Sequence, residues 1–313
     1  MKEGVLLLNM GGPSHLGEVE VFLRNMFKDP YILPIKNSLM RKFVGSMIVK
    51  KRLEKAKENY RAIGGKSPMV GYTFSLCQKL QEKNSKRFYS YAMRYTPPFT
   101  DMALKEMQQK GIQKIYLFSM YPQYSSTTTL SSFSEVHRCL KELDYKPVIE
   151  IIERYYDNAI YHKNMLNSIL KTLNGLDSKD FILIFSAHSL PQSIVVSGDP
   201  YQQECEKTFE YMKALLKENN LIFKDVLLSY QSKIGKMKWI GPSTQSIIEE
   251  HAKENLLLYP LGFTIDNSET AFEIDIEYRQ LAKALGNKNF LVSPCFNDSD
   301  DFADFILNLI GEK

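Results

Sequence analysis

Short, nearly continuous apolar runs punctuate this chain, and longer stretches of helical period separate them. Val5–Leu8, Tyr89–Met93, Ile115–Phe118, Val148–Ile152, Phe181–Phe185, Val226–Leu228 and Leu256–Tyr259 are such runs. Runs of this length without strict polar alternation mark strands covered on both faces, as in parallel sheets. Between them the period changes. Cys205, Phe209, Met212 and Leu216 recur at spacings of four, three and four, laying one apolar stripe along a helix. Phe302, Phe305, Ile306 and Leu309 do the same near the C-terminus, and Asp199-Pro200 reads as a helix start with Asp199 as N-cap. Strands alternating with helices predict an α/β architecture of parallel sheets. A faint internal echo sets Phe118-Ser119 before Pro122-Gln123 and Phe185-Ser186 before Pro191-Gln192. It suggests two halves, residues 1–150 and 151–313, with the last helix free to pack back on the first.

Parallel sheets bind ligands beyond the carboxyl ends of their strands, and the unusual residues fall at those ends. Asn9-Met10-Gly11-Gly12-Pro13 follows the first strand, Arg94-Tyr95 the second and Tyr121–Thr129 the third. Ser186-Ala187-His188, Ser229–Gly235 and Pro260–Glu269 follow later ones. His188 stands where a strand turns, and its imidazole can accept a proton or bind a metal near neutral pH. His15, His137, His162 and His251 lie in segments of helical character and are expected at the surface. Glu269, Glu273 and Glu277 recur every four residues, with Asp266 just before them. At about 100° per residue an α-helix keeps three such positions within about 80°, so they form one carboxylate ladder. Like charges at this spacing oppose a helix. A ladder of this kind is a solvated face or a path for protons and cations.

Other motifs read as structure. Gly11-Gly12-Pro13 lacks the glycine spacing of a nucleotide loop and predicts a tight turn. Gly64-Gly65-Lys66-Ser67-Pro68 predicts another, from which Ser67 and the preceding Tyr60 can reach an anion. The hydroxyls of Ser125–Thr129 suit a helix N-cap. Ser186 and His188 are not a hydrolase pair, because no G-x-S-x-G elbow surrounds them.

Composition narrows the classes. At 313 residues, 44% hydrophobic and 24% charged, the chain is an ordinary globular protein. Its net charge of +4 excludes a global nucleic-acid field. The charge is uneven, however. Ten basic residues against Glu54 and Glu58 make the stretch Lys36–Lys66 +8, leaving the rest −4. That stretch is a guide for anionic groups of a ligand, a contact for an anionic membrane, or a solvated helical face. Apolar residues near Tyr31–Leu39 add to the membrane reading. No run reaches the roughly 18 apolar residues of a spanning helix, and the first residues read as a strand rather than a signal peptide. Cys77, Cys139, Cys205 and Cys295 lie far apart, which argues against disulfides or structural zinc. A cytoplasmic location is expected.

Taken together the motifs resemble the ferrochelatases, the porphyrin metal chelatases of haem synthesis. The likeness runs through Leu7–Pro13, Tyr60–Pro68, Ala92–Tyr95, Tyr121–Ser125, Ser186–Pro191, Gly198–Tyr201, Ser229–Lys233 and Glu269-Thr270. It implies two Rossmann-like domains, each a parallel sheet flanked by helices, with a porphyrin cleft between them. It implies that His188 and Glu269 are the catalytic and metal-binding pair, with Glu273 and Glu277 as a secondary ladder. Met10, Tyr60, Ser67, Arg94, Tyr95, Tyr124, Trp239 and Phe263 match substrate-binding positions. One departure stands out. Many relatives read Asp-His ahead of the glutamate motif, whereas this chain reads Asp266-Asn267-Ser268-Glu269, so a second histidine has no counterpart.

The resemblance implies insertion of Fe²⁺ into protoporphyrin IX with release of two protons. Iron is then a substrate, and neither a cofactor nor an iron–sulfur cluster is expected. Bending the macrocycle exposes its nitrogen lone pairs. Met10, Tyr95, Trp239 and Phe263 are expected to grip it, His188 to take a pyrrole proton, and Glu269 to assist or deliver iron. The alternatives are a coproporphyrin III ferrochelatase, a sirohydrochlorin cobaltochelatase, or a porphyrin carrier without turnover. The expected partners are a porphyrin and ferrous iron, a peripheral membrane contact on its inner face, and the upstream porphyrin-synthesis enzyme.

Overall fold

The computed structural model describes residues 1–233 and 237–311. Ile234 and Gly235, at the end of the predicted Ser229–Gly235 loop, and the final Glu312 and Lys313 lie outside them. The described residues form two compact units. The first runs β1 (Glu3–Asn9), α1 (Val19–Lys28), α2 (Ser38–Ala62), α3 (Met69–Lys83), β2 (Phe88–Met93), α4 (Thr100–Gln109), β3 (Lys114–Ser119), α5 (Ser131–Glu142) and β4 (Val148–Ile152). Its strands pair in parallel in the order β2-β1-β3-β4. Val5, Leu6, Leu7 and Leu8 are all buried, which is why β1 reads as an unbroken apolar run. Leu6 and Leu8 pack with Leu104, Met107, Leu117, Phe133 and Val136 on one face of the sheet. At the edge, β4 leaves Val148 and Ile151 exposed.

The second unit runs α6 (Ala159–Leu173), β5 (Phe181–His188), α7 (Gln192–Val196), α8 (Tyr201–Glu218), β6 (Asp225–Gln231), α9 (Thr244–Glu250), β7 (Asn255–Pro260), a π-helix (Glu269–Tyr278), α10 (Arg279–Ala284) and β8 (Phe290–Val292). Its order is β6-β5-β7-β8, again parallel. Ile182, Ile184, Leu256 and Leu258 build its core with Ile274 and Ala282. The segment 297–311 belongs to the first unit, where α11 (Asp300–Leu309) pairs through Asp300 and Asp304 with Lys83 at 3.3 and 2.8 Å. Pro122–Tyr124 counts with the second unit.

Both sheets share one strand order, 2-1-3-4, so the units repeat one topology. The sequence echo is out of step with that repeat. It aligns β3, third in its sheet, with β5, first in its own; the topological partner of β5 is β1. All seven predicted strands are present, and the three-residue β8 is added. His162, expected at the surface, is instead buried on α6, with Nε2 at 2.8 Å from the Tyr156 carbonyl oxygen and its ring stacked on Tyr211. That burial pushes its pKa down. All four cysteines are free and buried.

Candidate functional site

In the second unit the chemistry gathers at the carboxyl edge of the sheet. His188 is the last residue of β5, paired in register with Gln231 at the end of β6. Side chains alternate along a strand, so Ser186 lies on the same face as His188. Ser186 is buried, with its hydroxyl 2.7 Å from both Gln231 Oε1 and Thr244 Oγ1. Locked in that way, it braces the strand end below His188 and is no nucleophile. The neighbouring β7 ends in Pro260, and the chain turns through Leu261–Ile265 to the π-helix. Gly262 lies so close that a Cβ there would be 2.9 Å from the hydroxyl oxygen of buried Tyr201.

His188 Nδ1 is 3.0 Å from Glu269 Oε2. Both side chains are about 30% accessible, so the pair is sheltered but open to a ligand. Burial acts to lower the His188 pKa, but the charge and hydrogen bond of Glu269, with the charge of Glu273, outweigh it and raise it above its ordinary value. The buried Phe263 ring faces the imidazole edge-on at 6.4 Å. Half-buried Trp239 bridges antiparallel to Pro191, three residues beyond His188.

The carboxylate ladder exists, but on a different helix from the one its spacing suggested. Glu269–Tyr278 is π-helical, bonded i to i+5, where the four-residue spacing predicted an α-helix. Asn267, where the family resemblance led to the expectation of a histidine, caps its start: Asn267 Oδ1 accepts from the Glu269 N–H at 2.7 Å. The departure therefore supplies a brace for Glu269 in place of a titrating ring. Glu273 is held by the Ser232 N–H and the Tyr278 hydroxyl, each at 2.8 Å, and by the Ser232 hydroxyl. Burial first, then the charge of Glu269, raise its pKa against those hydrogen bonds and the pull of His188. Glu277 is exposed. Glu273, Glu277, Ser232, Lys233 and Tyr278 line a cavity of about 350 Å³, so the ladder leads from His188 to open space. Among the described residues no group of three or more His, Cys, Asp or Glu side chains is arranged to hold a metal.

Tyr124 also belongs to the second unit. Its N–H donates to Glu204 Oε2 at 2.7 Å, and Arg154, bonded to Glu204 Oε1 at 2.6 Å, lies over its ring at 4.6 Å. Glu204 is buried, and that burial raises its pKa despite the Tyr124 N–H and Arg154. Sequence reasoning passes over Glu204, one acid among several on α8.

The remaining predicted residues lie in the first unit. Arg94 and Tyr95 continue the sheet, donating their N–H groups to the carbonyls of Asn9 and Met10 at 2.9 and 3.0 Å. Met10, half-buried, packs against the cluster that holds Tyr60 and Tyr95. Gly11 has φ of +86°, and Gly12 packs on buried Ser67 so tightly that a Cβ would come within 2.5 Å of Ser67 Cβ. The two glycines are thus needed for a left-handed backbone and a close approach, in an extended segment rather than the tight turn expected. For Arg94 and Tyr95 the geometry departs from a grip on a flat ligand. Tyr95 is 2% exposed and its hydroxyl donates to Asp29 Oδ2 at 2.8 Å. Arg94 reaches Asp29 at 3.1 Å, Ser131 at 2.9 Å and Glu135 at 3.7 Å. Fully buried Asp29, which sequence reasoning also missed, is the hub: it further accepts from the Ser131 hydroxyl and from the Tyr31 N–H at 2.9 Å.

The ferrochelatase family model matches residues 2–313. A ferrochelatase of Helicobacter pylori strain J99 is 55% identical over 310 residues, 99% of this chain and 92% of the relative. One of Wolinella succinogenes is 52% identical over 312 residues, 100% and 99% of the two chains. The fold is similar to that of SirB from Bacillus subtilis with Fe³⁺, at a TM-score of 0.59, 12% identity and coverage of 99% and 94%. It is also similar to CbiX, the terminal enzyme for biosynthesis of sirohaem in denitrifying bacteria, at 0.52, 11% identity and coverage of 98% and 97%. At those identities the solved structures speak for the fold alone. Relatives more than half identical along nearly their whole length, and a family model that takes in all but the first residue, place this chain in the ferrochelatase family.

Proposed function

We propose that this protein inserts Fe²⁺ into protoporphyrin IX to form protohaem, with His188 and Glu269 at the reacting centre. The observation that carries the assignment of roles is the 3.0 Å contact between His188 and Glu269 at the carboxyl edge of the second sheet. Two pyrrole N–H protons must leave as two metal–nitrogen bonds begin. His188 takes them one at a time on its imidazole and hands each on through the Nδ1 contact to the Glu269 carboxylate, which stabilises the transient imidazolium. Glu273 and Glu277 then carry protons from Glu269 toward solvent. Two donors leave most of an iron ion's coordination positions open to the pyrrole nitrogens, which suits a metal in transit. An imidazole–carboxylate pair discriminates poorly among divalent metals, so zinc is also inserted in vitro.

Met10, Trp239 and Phe263 offer apolar and aromatic contact to the macrocycle, while Ser67, Tyr60 and Tyr124 meet its edge. The reaction needs no resident cofactor, since iron is consumed. No helix among the described residues is long and apolar enough to cross a membrane. A cytoplasmic protein in peripheral contact with the inner face of the membrane, receiving porphyrin from the preceding enzyme, fits a poorly soluble substrate and product.

Anaerobic steady-state assays with Fe²⁺ and either protoporphyrin IX, coproporphyrin III or sirohydrochlorin test this reading. Protoporphyrin should be metallated fastest, and His188→Ala should lose about 10²–10⁴-fold in kcat while still binding it. Preference for another tetrapyrrole would overturn the substrate assignment. Near-normal metallation by His188→Ala would overturn the base.

A further inference from the structure

We infer that Lys233 keeps divalent cations out of the carboxylate ladder and so reserves its outlet for protons; the inference rests on the proton path proposed above and adds the residue that sets its selectivity. The ladder opens into the cavity of about 350 Å³ bounded by Ser232, Lys233, Ser243, Gln245, Glu273 and Glu277. Size does not close that space to a metal. Six coordinated waters at about 30 Å³ each make a hydrated dication of about 180 Å³, which the cavity would hold. Carboxylate oxygens, such as those of Glu273 and Glu277, suit hard divalent ions. Something else must keep metal from lodging there.

That something is charge. Lys233 is exposed, and its ammonium nitrogen rests against Gly241: a Cβ there would lie 3.2 Å from Lys233 Nζ and 3.6 Å from the Ser243 nitrogen. The missing Cβ thus lets the ammonium lie along the Ser243 wall of the cavity. Among the described residues Lys233 forms no ion pair, so no fixed partner cancels its charge. Glu273 already accepts from the Ser232 N–H, the Ser232 hydroxyl and the Tyr278 hydroxyl, which leaves Glu277 as the carboxylate most open to a cation. A proton and a dication feel the lysine differently. A proton passes along the ladder as the hydrogen of a neutral carboxylic acid, which an ammonium hardly opposes. A metal ion has to enter as a double positive charge, and repulsion grows with the product of the charges. An ion held by Glu273 and Glu277 would keep both deprotonated and block the exit of pyrrole protons. Iron therefore reaches His188 without passing this outlet.

The test is Mn²⁺ binding to the full chain, read from the free-ion electron paramagnetic resonance signal, together with Mn²⁺ inhibition of anaerobic Fe²⁺ insertion. Lys233→Glu should bind Mn²⁺ at least about tenfold more tightly than the wild type and be inhibited by it at correspondingly lower concentration. Lys233→Met should move both readings the same way by less. The gain should vanish in Lys233→Glu/Glu277→Gln. Lys288→Glu, at an exposed lysine of the same unit, makes the same change in net charge and should leave both readings where the wild type has them. Equal Mn²⁺ affinity and inhibition in Lys233→Glu and the wild type would overturn the inference. So would a fall in the KM for Fe²⁺ in Lys233→Glu, which would make the cavity an inlet for iron. Both outcomes concern the outlet alone, whereas the His188→Ala assay tests the proton path itself.

Discussion

Replacing Asp29 with alanine tests whether the Arg94-Tyr95 motif is built around a buried charge. Asp29 is fully buried at the side chain and accepts from Arg94 at 3.1 Å, from the Tyr95 hydroxyl at 2.8 Å, from the Tyr31 N–H at 2.9 Å and from the Ser131 hydroxyl. Its removal strands a guanidinium that is only 19% accessible and leaves Glu135, at 3.7 Å, as the remaining countercharge. Breaking a buried ion pair from one side costs about 3–5 kcal/mol, and Glu135 and partial solvent access favour the lower end. The orphaned Tyr95 hydroxyl keeps the total from falling below about 3 kcal/mol. For a domain of this size that corresponds to a drop of about 6–12 °C in Tm. Thermal and urea melts of Asp29→Ala give the value directly. The double variant Asp29→Ala/Arg94→Met should regain more than half of the loss, because the stranded charge leaves with the guanidinium. A loss under about 1 kcal/mol in the single variant, or no recovery in the double, would refute the reasoning.

Glu269→Gln removes the negative charge that opposes the effect of burial on His188 and raises its pKa. With that pKa lowered, neutral imidazole persists to lower pH, so the acid limb of kcat/KM moves to lower pH even as the overall rate falls. An acid limb that stays put or moves upward contradicts the coupling. Gly12→Ala drives a methyl to within 2.5 Å of Ser67 Cβ, whose backbone is pinned by its N–H to the Pro13 carbonyl at 2.7 Å. Overpacking of this kind costs about 1–3 kcal/mol, and a displaced Ser67 should raise the porphyrin KM more than it lowers kcat. Unchanged stability and KM together would mean that the segment yields freely.

Most strands were legible because they are covered on both faces, so burial is written as consecutive apolar residues rather than as alternation; the edge strand β4, with Val148 and Ile151 exposed, is the exception. Val5–Leu8 and Phe181–Phe185 show the rule most plainly. The short β8 offers three residues, too few to establish any period. The internal echo misled for a related reason. A buried strand followed by a turn looks the same wherever it falls in a sheet, so Phe118-Ser119 and Phe185-Ser186 matched although their strands hold different places in the 2-1-3-4 order.

The site divides along similar lines. His188 was legible because a polar, titrating residue ending a buried run has to emerge at the sheet's carboxyl edge. Glu269, Glu273 and Glu277 were legible as a row, yet the four-residue spacing fits an α-helix and a π-helix alike, and Asn267 shows its role only once its side chain is seen against the Glu269 N–H. Asp29 and Glu204 were illegible. An acid before a proline reads as a turn, and an acid on an amphipathic helix reads as solvated; nothing local reports that each is buried against an arginine. Both arginines sit one residue away from, or stacked on, a tyrosine of the predicted substrate set, Tyr95 and Tyr124. The residues most visible in the sequence are therefore the titrating ones at a strand end, and the least visible are the buried acids that hold Arg94 beside Tyr95 and Arg154 over Tyr124. That order follows from the physics. A reacting group is conspicuous because it is polar at a strand end, whereas a buried acid is defined by partners far away in the chain.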